Sequence, residues 1–340
     1  SQAMGIIPVD KNDNVIHNNI TWVDSRAGKE AERINHIMGM EAQNSNDVVS
    51  KLLWLKENKS EIYNSTKYFL DCTGYLVFKS TGIPVMELTN SSPYSLSPQM
   101  RKYQERLYAA AGIALDKMPP LKICGEYVAN LTSAASEQLG LTMEAKVFMG
   151  TGDVAAAAAG AGCCQIGDAH FYIGSSAWLS VIKDENRLEN PSPGAYQIYS
   201  ISKDLLIYGG CVQSACMTLD WAIEQFYQME GQMLKGDLYR FINQEDIFNF
   251  INGEIKDIEP GSRNMIATPW LHGEHFPVLD EKVRAVFFNI TNLHDRRYFI
   301  NAVMEGIAYS LRGQMELYTQ DTSNTLTKVG VVGGGALSDH

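Results

Sequence analysis

The chain has 340 residues, 45% of them hydrophobic and 20% charged, with a formal net charge of −11, which leaves room for two domains with substantial cores. The acidic residues are spread without long runs, which argues against binding through nucleic-acid phosphates or an anionic membrane surface; local amides and a metal could still hold an anionic nucleotide. Six cysteines without a C-x-x-C spacing point to a reduced, cytoplasmic setting rather than a disulfide framework.

No apolar stretch reaches the roughly 20 residues that span a bilayer, and Ser1-Gln2-Ala3-Met4-Gly5 lacks the basic start and apolar core of a secretion signal. The first residue is not Met, and Gly333 to His340 stop at a loop that should open a helix, so the sequence reads as cut at both ends.

In chain order, residues 6–10, a polar Asn/Asp turn and residues 15–22 predict a strand pair. Between residues 25 and 58 the apolar residues recur at three and four, which predicts two amphipathic helices. A further helical piece is expected from about Pro98 to Ala114. The apolar run at Lys146 then ends in Gly150-Thr151-Gly152-Asp153 and an alanine-rich helix, closing a first domain near Gly162. Strands are expected at 170–173, 178–182, 196–201 and 205–209, helices near 217–229 and 295–318, and a last strand at 328–332 running into Gly333-Gly334-Gly335-Ala336.

Asp153 stands at a strand–helix junction on a backbone open to close approach, a good place for a catalytic base and equally a place for an ordinary helix cap. Gly174-Ser175-Ser176 and Gly333-Gly334-Gly335-Ala336 also sit at strand ends. Amides exposed at such turns suit phosphate oxygens, although a hairpin turn and close strand–helix packing explain each one alone. A Walker loop is excluded, because Lys59-Ser60 follows Asn58 and Lys79-Ser80 follows Phe78. A dinucleotide fingerprint from Gly333 fails at Ser338. His272 and His275 lack a third zinc ligand. Trp22-Val23-Asp24-Ser25-Arg26 combines a flat aromatic, a carboxylate and a guanidinium, which suits a polyol; the alternative is a helix start capped by Asp24 or Ser25.

Together these pieces resemble the FGGY family of carbohydrate kinases, most closely its xylulokinase-like branch. The matching landmarks are Gln2 to Gly5; Trp22-x-Asp24-x-Arg26; Lys51 to Asn58; Gly150 to Asp153; Gly174-Ser175-Ser176; Gly273-Glu274; Met304-Glu305-Gly306-Ile307-Ala308; and Gly333 to Ala336. The resemblance implies an α/β, two-domain actin-like ATPase fold built of ribonuclease H-like domains and incomplete at both termini. Residues 1–165 would be a sugar-binding domain without its first strands, and 166–340 a nucleotide-binding domain without its C-terminal end. It implies ATP and Mg²⁺ as cofactors, with Asp153 as general base and linked to Mg²⁺. Gln2, Ala3, Met4, Trp22, Asp24 and Arg26 would face the sugar, and Gly174, Ser175, Ser176, Gly333, Gly334, Gly335 and Ala336 the nucleotide.

Some positions depart from the family pattern. Ala3-Met4 replace a Met-His pair, Gly74 stands where relatives usually have aspartate, and Asn289 and Tyr298 interrupt the segment leading to Glu305. The expected activity is ATP-dependent phosphorylation of a ketopentose or related polyol, with gluconate or another polyol as the alternative within the family. A catalytically inactive sugar sensor or an actin-like scaffold is the alternative of another class. The expected partner is a small sugar or polyol, without nucleic acid or membrane, and a homodimer stays open.

Overall fold

The structure is a computed structural model that describes all residues except 3, 41–42, 92–95, 98–101, 185–193, 203, 228–243, 277–279, 281, 321–324 and 338–340. The chain divides into two compact units, one made mainly of residues 1–160 and the other mainly of residues 161–340.

In the first unit, strand β1 (Ile7–Asp10) is followed by the expected polar turn, in which Asp10 Oδ1 accepts the N–H groups of Asn12 and Asn14 at 2.8 and 2.9 Å. The expected partner strand does not form. Residues 15–22 return only through the isolated bridges Ile6–Ile20 and Val9–Val15: this largely polar stretch buries Ile20 but leaves Val15 and Trp22 exposed, too little of an apolar face to build a strand. The ladder partner of β1 is β2 (Thr66–Leu70), antiparallel, with Ile7 opposite Leu70 and Val9 opposite Tyr68. Both predicted helices form, as α1 (Gly28–Met38) and α2 (Val48–Asn58). Val48, Val49, Leu52, Leu53 and Leu55 of α2 share one core with Ile34 of α1 and with Ile7, Val9, Phe69 and Leu70 of the two strands. Lys51 of α2 is buried too, and its Nζ donates to the Thr21 carbonyl at 2.8 Å.

Helix α3 (Cys72–Thr81) starts at Asp71, whose carboxylate accepts the Gly74 N–H at 2.6 Å. A Cβ at position 74 would lie 2.3 Å from the Val85 carbonyl oxygen. Gly74 therefore stands where the backbone allows no side chain. Strand β3 (Met86–Glu87) pairs in parallel with β4 (Leu121–Lys122), and β5 (Tyr127–Asn130) pairs antiparallel with β6 (Lys146–Phe148). Of the helical piece expected between Pro98 and Ala114, the structure has a helix at Glu105–Ala110; Pro98 lies outside the described residues. The unit closes with α4 (Asp153–Gly160), which buries Ala155 and Ala158.

The second unit is built on β7 (Asp168–Ile173), β8 (Ala177–Asp184), β9 (Ala195–Tyr199), β10 (Leu205–Val212) and β13 (Lys328–Val332). These form one sheet in the order β9-β10-β8-β7-β13. β8 is an almost wholly buried central strand antiparallel to β7, whereas β13 runs parallel to β7. Helices α5 (Cys216–Phe226), α6 (Gln244–Ile255) and α7 (Arg296–Thr319) build the main apolar core of this unit. α7 contributes Ile300, Val303, Ile307 and Leu311, a stripe at helical spacing.

Before the two-residue strand β11 (Ile266–Ala267), which pairs with β12 (Phe287–Phe288), the chain makes a left-handed turn. Gly261, Ser262, Arg263 and Asn264 have φ of 95°, 44°, 53° and 64°. For the last three this costs roughly 1–2 kcal/mol each. Glu305 of α7 holds the turn: its Oε1 accepts the Gly261 N–H at 2.6 Å and its Oε2 the Ser262 hydroxyl at 2.7 Å. Asn289 Nδ2 donates to the Asn264 carbonyl at 3.0 Å, and the Arg263 guanidinium lies 5.1 Å from the Tyr298 ring centroid. The two residues that interrupt the family pattern thus meet at one strained turn.

Candidate functional site

In the first unit, Gly152 precedes α4 as its cap, since its carbonyl accepts the Ala156 N–H at 2.9 Å. Asp153 is the first helical residue rather than the cap. Its side chain is exposed, and Oδ1 accepts the N–H of the next residue, Val154, at 3.0 Å. Among the described residues it has no ion-pair partner, so the carboxylate sits open at the positive end of a helix dipole.

The segment of Gln2 and Met4 reaches this turn. The Asp153 N–H donates to the Ser1 carbonyl at 3.0 Å, and the Ser1 nitrogen donates to the Thr151 carbonyl at 2.8 Å. Gln2 is exposed; Met4 is half-buried, has φ of 60° and packs on the core of the unit. Ala3 lies outside the described residues. Trp22 follows two residues after Ile20, which bridges to Ile6. Trp22 is 49% exposed, an open aromatic surface.

Asp24 and Arg26 meet in an ion pair of 2.6 Å, supported by Arg26 Nε donating to Asp24 Oδ1 at 2.8 Å. The guanidinium beside it holds the Asp24 carboxyl below its ordinary range. Arg26 stacks 4.6 Å from the ring centroid of Trp54, not on Trp22. Neither Asp24 nor Ser25 caps α1, whose cap position is Ala27. The turn before Asp153 is also gripped by Thr89, which no motif marks: Gly152 donates to its hydroxyl at 3.0 Å.

In the second unit, the parallel pairing of β7 and β13 sets Val332 opposite Tyr172. The turn Gly174-Ser175-Ser176 and the loop Gly333-Gly334-Gly335-Ala336 therefore leave the same end of the sheet on adjacent strands. Gly333 has φ of 100°, and a Cβ there would lie 2.4 Å from the Ile173 carbonyl oxygen; a Cβ on Gly335 would strike the Ile173 side chain at 2.3 Å. Only glycine lets the two turns approach so closely. Gly334 has nothing within 4 Å of its Cβ position, which leaves the loop open on that side.

The carbonyl oxygens of Gly174 and Ser175 are drawn to the start of α5. Cys216 N–H donates to Gly174 O at 3.0 Å, and Ala215 and Met217 donate to Ser175 O at 3.0 and 3.1 Å. With these acceptors engaged by the helix, exposed Ser175 offers its hydroxyl at the sheet end. Nearby, burial and the Glu274 carboxylate push the Cys211 thiol up to about 11. Glu274 is fully buried and accepts the N–H groups of Gln213 and His275 at 3.0 and 2.8 Å. Among the described residues no group of three or more His, Cys, Asp or Glu is placed to hold a metal ion, and no helix is long and apolar enough to cross a membrane.

The xylulose kinase of Bacillus subtilis (strain 168) is 27% identical over 349 residues, covering 99% of this chain and 66% of the relative. The gluconokinase of the same organism is 24% identical over 349 residues, covering 100% and 66%. The chain thus spans just under two thirds of the length of these relatives. A solved structure of ligand-bound xylulose kinase from Lactobacillus acidophilus superposes with a TM-score of 0.84 at 21% identity, over 100% of this chain and 67% of that one. This likeness shows the fold, the two-domain actin-like arrangement of sugar kinases. Residues 1–160 match the N-terminal domain of the FGGY family of carbohydrate kinases and residues 169–340 match its C-terminal domain. The chain belongs to the FGGY family of carbohydrate kinases.

Proposed function

We propose that the complete protein carrying this chain is an ATP-dependent carbohydrate kinase. It transfers the γ-phosphate of ATP to a hydroxyl of a ketopentose or a related polyol. The observation that carries this reading is the adjacency of the two glycine-rich turns at the end of β7 and β13. A sheet end with two open turns side by side, one bearing serine hydroxyls, fits a nucleotide with its phosphates. ATP brings the transferable phosphoryl group, and Mg²⁺ offsets its charge. Mg²⁺ commonly keeps several waters and takes only one or two protein carboxylates, which is compatible with Asp153 as a single protein contact.

On this reading Gly174, Ser175 and Ser176 hold phosphate oxygens, and Gly333, Gly334, Gly335 and Ala336 flank the adenosine. Asp153 accepts the proton of the attacking hydroxyl, because its carboxylate is exposed at the strand–helix junction and has no ion-pair partner among the described residues. Gln2, Ala3, Met4, Trp22, Asp24 and Arg26 line the sugar side. Met4 offers a thioether where relatives carry an imidazole donor, so one hydrogen bond to substrate is lost and discrimination falls by about 1 kcal/mol or more. Relatives named for xylulose and for gluconate match this chain at similar identity, which supports a substrate choice not restricted to xylulose.

Sugar-dependent ADP release from the complete protein, measured with ketopentoses, gluconate and glycerol, tests the reading. Turnover is expected with at least one ketopentose or polyol, and without a unique preference for D-xylulose. A strict D-xylulose preference would remove the role given to Met4, and no turnover on any of them would favour a sensor or scaffold.

A further inference from the structure

The Asp153 side chain has little holding it: among the described residues its carboxylate accepts one hydrogen bond, from the neighbouring Val154 N–H. Where the carboxylate points is therefore decided by the backbone of the turn that carries it. That turn is fastened by a buried polar chain that begins far away in sequence. Glu87 ends β3 and is fully buried, and Thr89 is buried two residues on. Glu87 Oε2 accepts the Thr89 N–H at 2.9 Å and also the Thr89 hydroxyl.

This fixes the direction of the remaining bonds. A threonine hydroxyl has one proton and two lone pairs. With the proton committed to Glu87, Thr89 Oγ1 can only accept. It accepts the Gly152 N–H at 3.0 Å, and the Thr151 hydroxyl, 2.8 Å away, must donate to it. The full capacity of Thr89 is used, and both residues it grips immediately precede Asp153. A buried chain of hydrogen bonds in which the linking hydroxyl has used its full capacity is stiff.

We infer that Thr89, anchored by Glu87, is a positioning residue for Asp153: it sets the cap of α4 and with it the direction of the carboxylate. The inference rests on Asp153 being the base of the proposed kinase. Thr89→Val keeps the shape of the side chain and removes the hydroxyl, leaving the Gly152 N–H without its acceptor. A carboxylate displaced by a fraction of an ångström loses alignment with the attacking hydroxyl, and such misplacement lowers turnover by about 10- to 100-fold. Binding of sugar and nucleotide involves other residues, so both KM values should hold.

The test is a double-mutant cycle in the complete protein with Thr89→Val, Asp153→Asn and the combination, reading kcat, both KM values and melting temperature. If Thr89 acts through Asp153, Thr89→Val lowers kcat by about 10-fold or more with KM changed by less than about threefold, and in the Asp153→Asn background it causes almost no further loss. Thr89→Ser, which restores the hydroxyl, should recover most of the rate. The inference is overturned if Thr89→Val stays within about threefold of the parent while Asp153→Asn is nearly inactive, or if the two losses multiply. If Asp153→Asn itself keeps full activity, the assignment of the base fails and the inference with it. Should Thr89→Val not fold, Glu87→Gln is read in the same cycle, with a smaller loss of kcat expected and the same absence of further loss beside Asp153→Asn.

Discussion

At the scale of single residues, the clearest departures from ordinary chemistry lie away from the proposed site. His170 of β7 is fully buried between Ser180 of β8 and Gly330 of β13, and neither ring nitrogen has a partner among the described residues. Burial alone pushes its pKa from 6.5 down to about 4. The unfolded chain then binds a proton that the folded chain refuses between those values. Stability is therefore full above 6.5 and falls as the pH drops towards 4, by about 1–3 kcal/mol in all. His170→Leu should flatten this part of the melting-temperature profile, and an unchanged slope would mean the ring is protonated in the fold.

Asp47 works in the opposite sense in the first unit. Burial raises it from 3.8 to about 6, so the folded state holds its proton longer and stability declines as the pH rises through that window. Neither effect was legible in the sequence. His170 reads there as one polar residue in a strand, and only the sheet order shows it enclosed on both sides.

At the scale of elements, the long helix α7 and the turn it fastens explain a motif that sequence could locate but not interpret. Glu305 and Gly306 read as family landmarks. In the structure Glu305 holds the left-handed turn at 261–264, and a Cβ on Gly306 would lie 2.2 Å from the Ala267 carbonyl oxygen. Both are demands of packing. Glu305→Ala should destabilise the second unit by about 2–4 kcal/mol in urea unfolding, from two lost charge-assisted bonds and a strained turn left without a holder. A change below about 0.5 kcal/mol would mean that the turn relaxes without strain.

Strongly periodic elements such as α1, α2 and α7 were legible, and so were β8 and β13, because their apolar pattern is local. The pairing of β1 with β2 was not. It joins segments separated by three helices, α1, α2 and a short one at Ser60–Ser65, and the turn chemistry after Asp10 suggested a nearer partner whose largely polar residues could not cover a core. The site was legible to the same degree. Asp153 and the three glycine-rich turns announce themselves by local backbone demands, whereas Thr89 and Glu87 join the Asp153 turn only through the fold.

At the scale of the whole molecule, the two matched family domains each carry part of the proposed chemistry. On the proposed reading the first would supply the base and the sugar-side residues, and the second the paired turns for the nucleotide. Such an arrangement asks the protein mainly to position a nucleophile against a phosphoryl group. The claim that phosphate is transferred to a sugar, rather than released to water or merely bound, is tested most directly by ³¹P NMR of the complete protein with Mg-ATP and a panel of ketopentoses and gluconate. The account predicts a new phosphomonoester resonance that grows as the γ-phosphate signal falls, only when sugar is present, and that nearly disappears in Asp153→Asn. Loss of γ-phosphate to inorganic phosphate alone, or no change in any of the spectra, would contradict it.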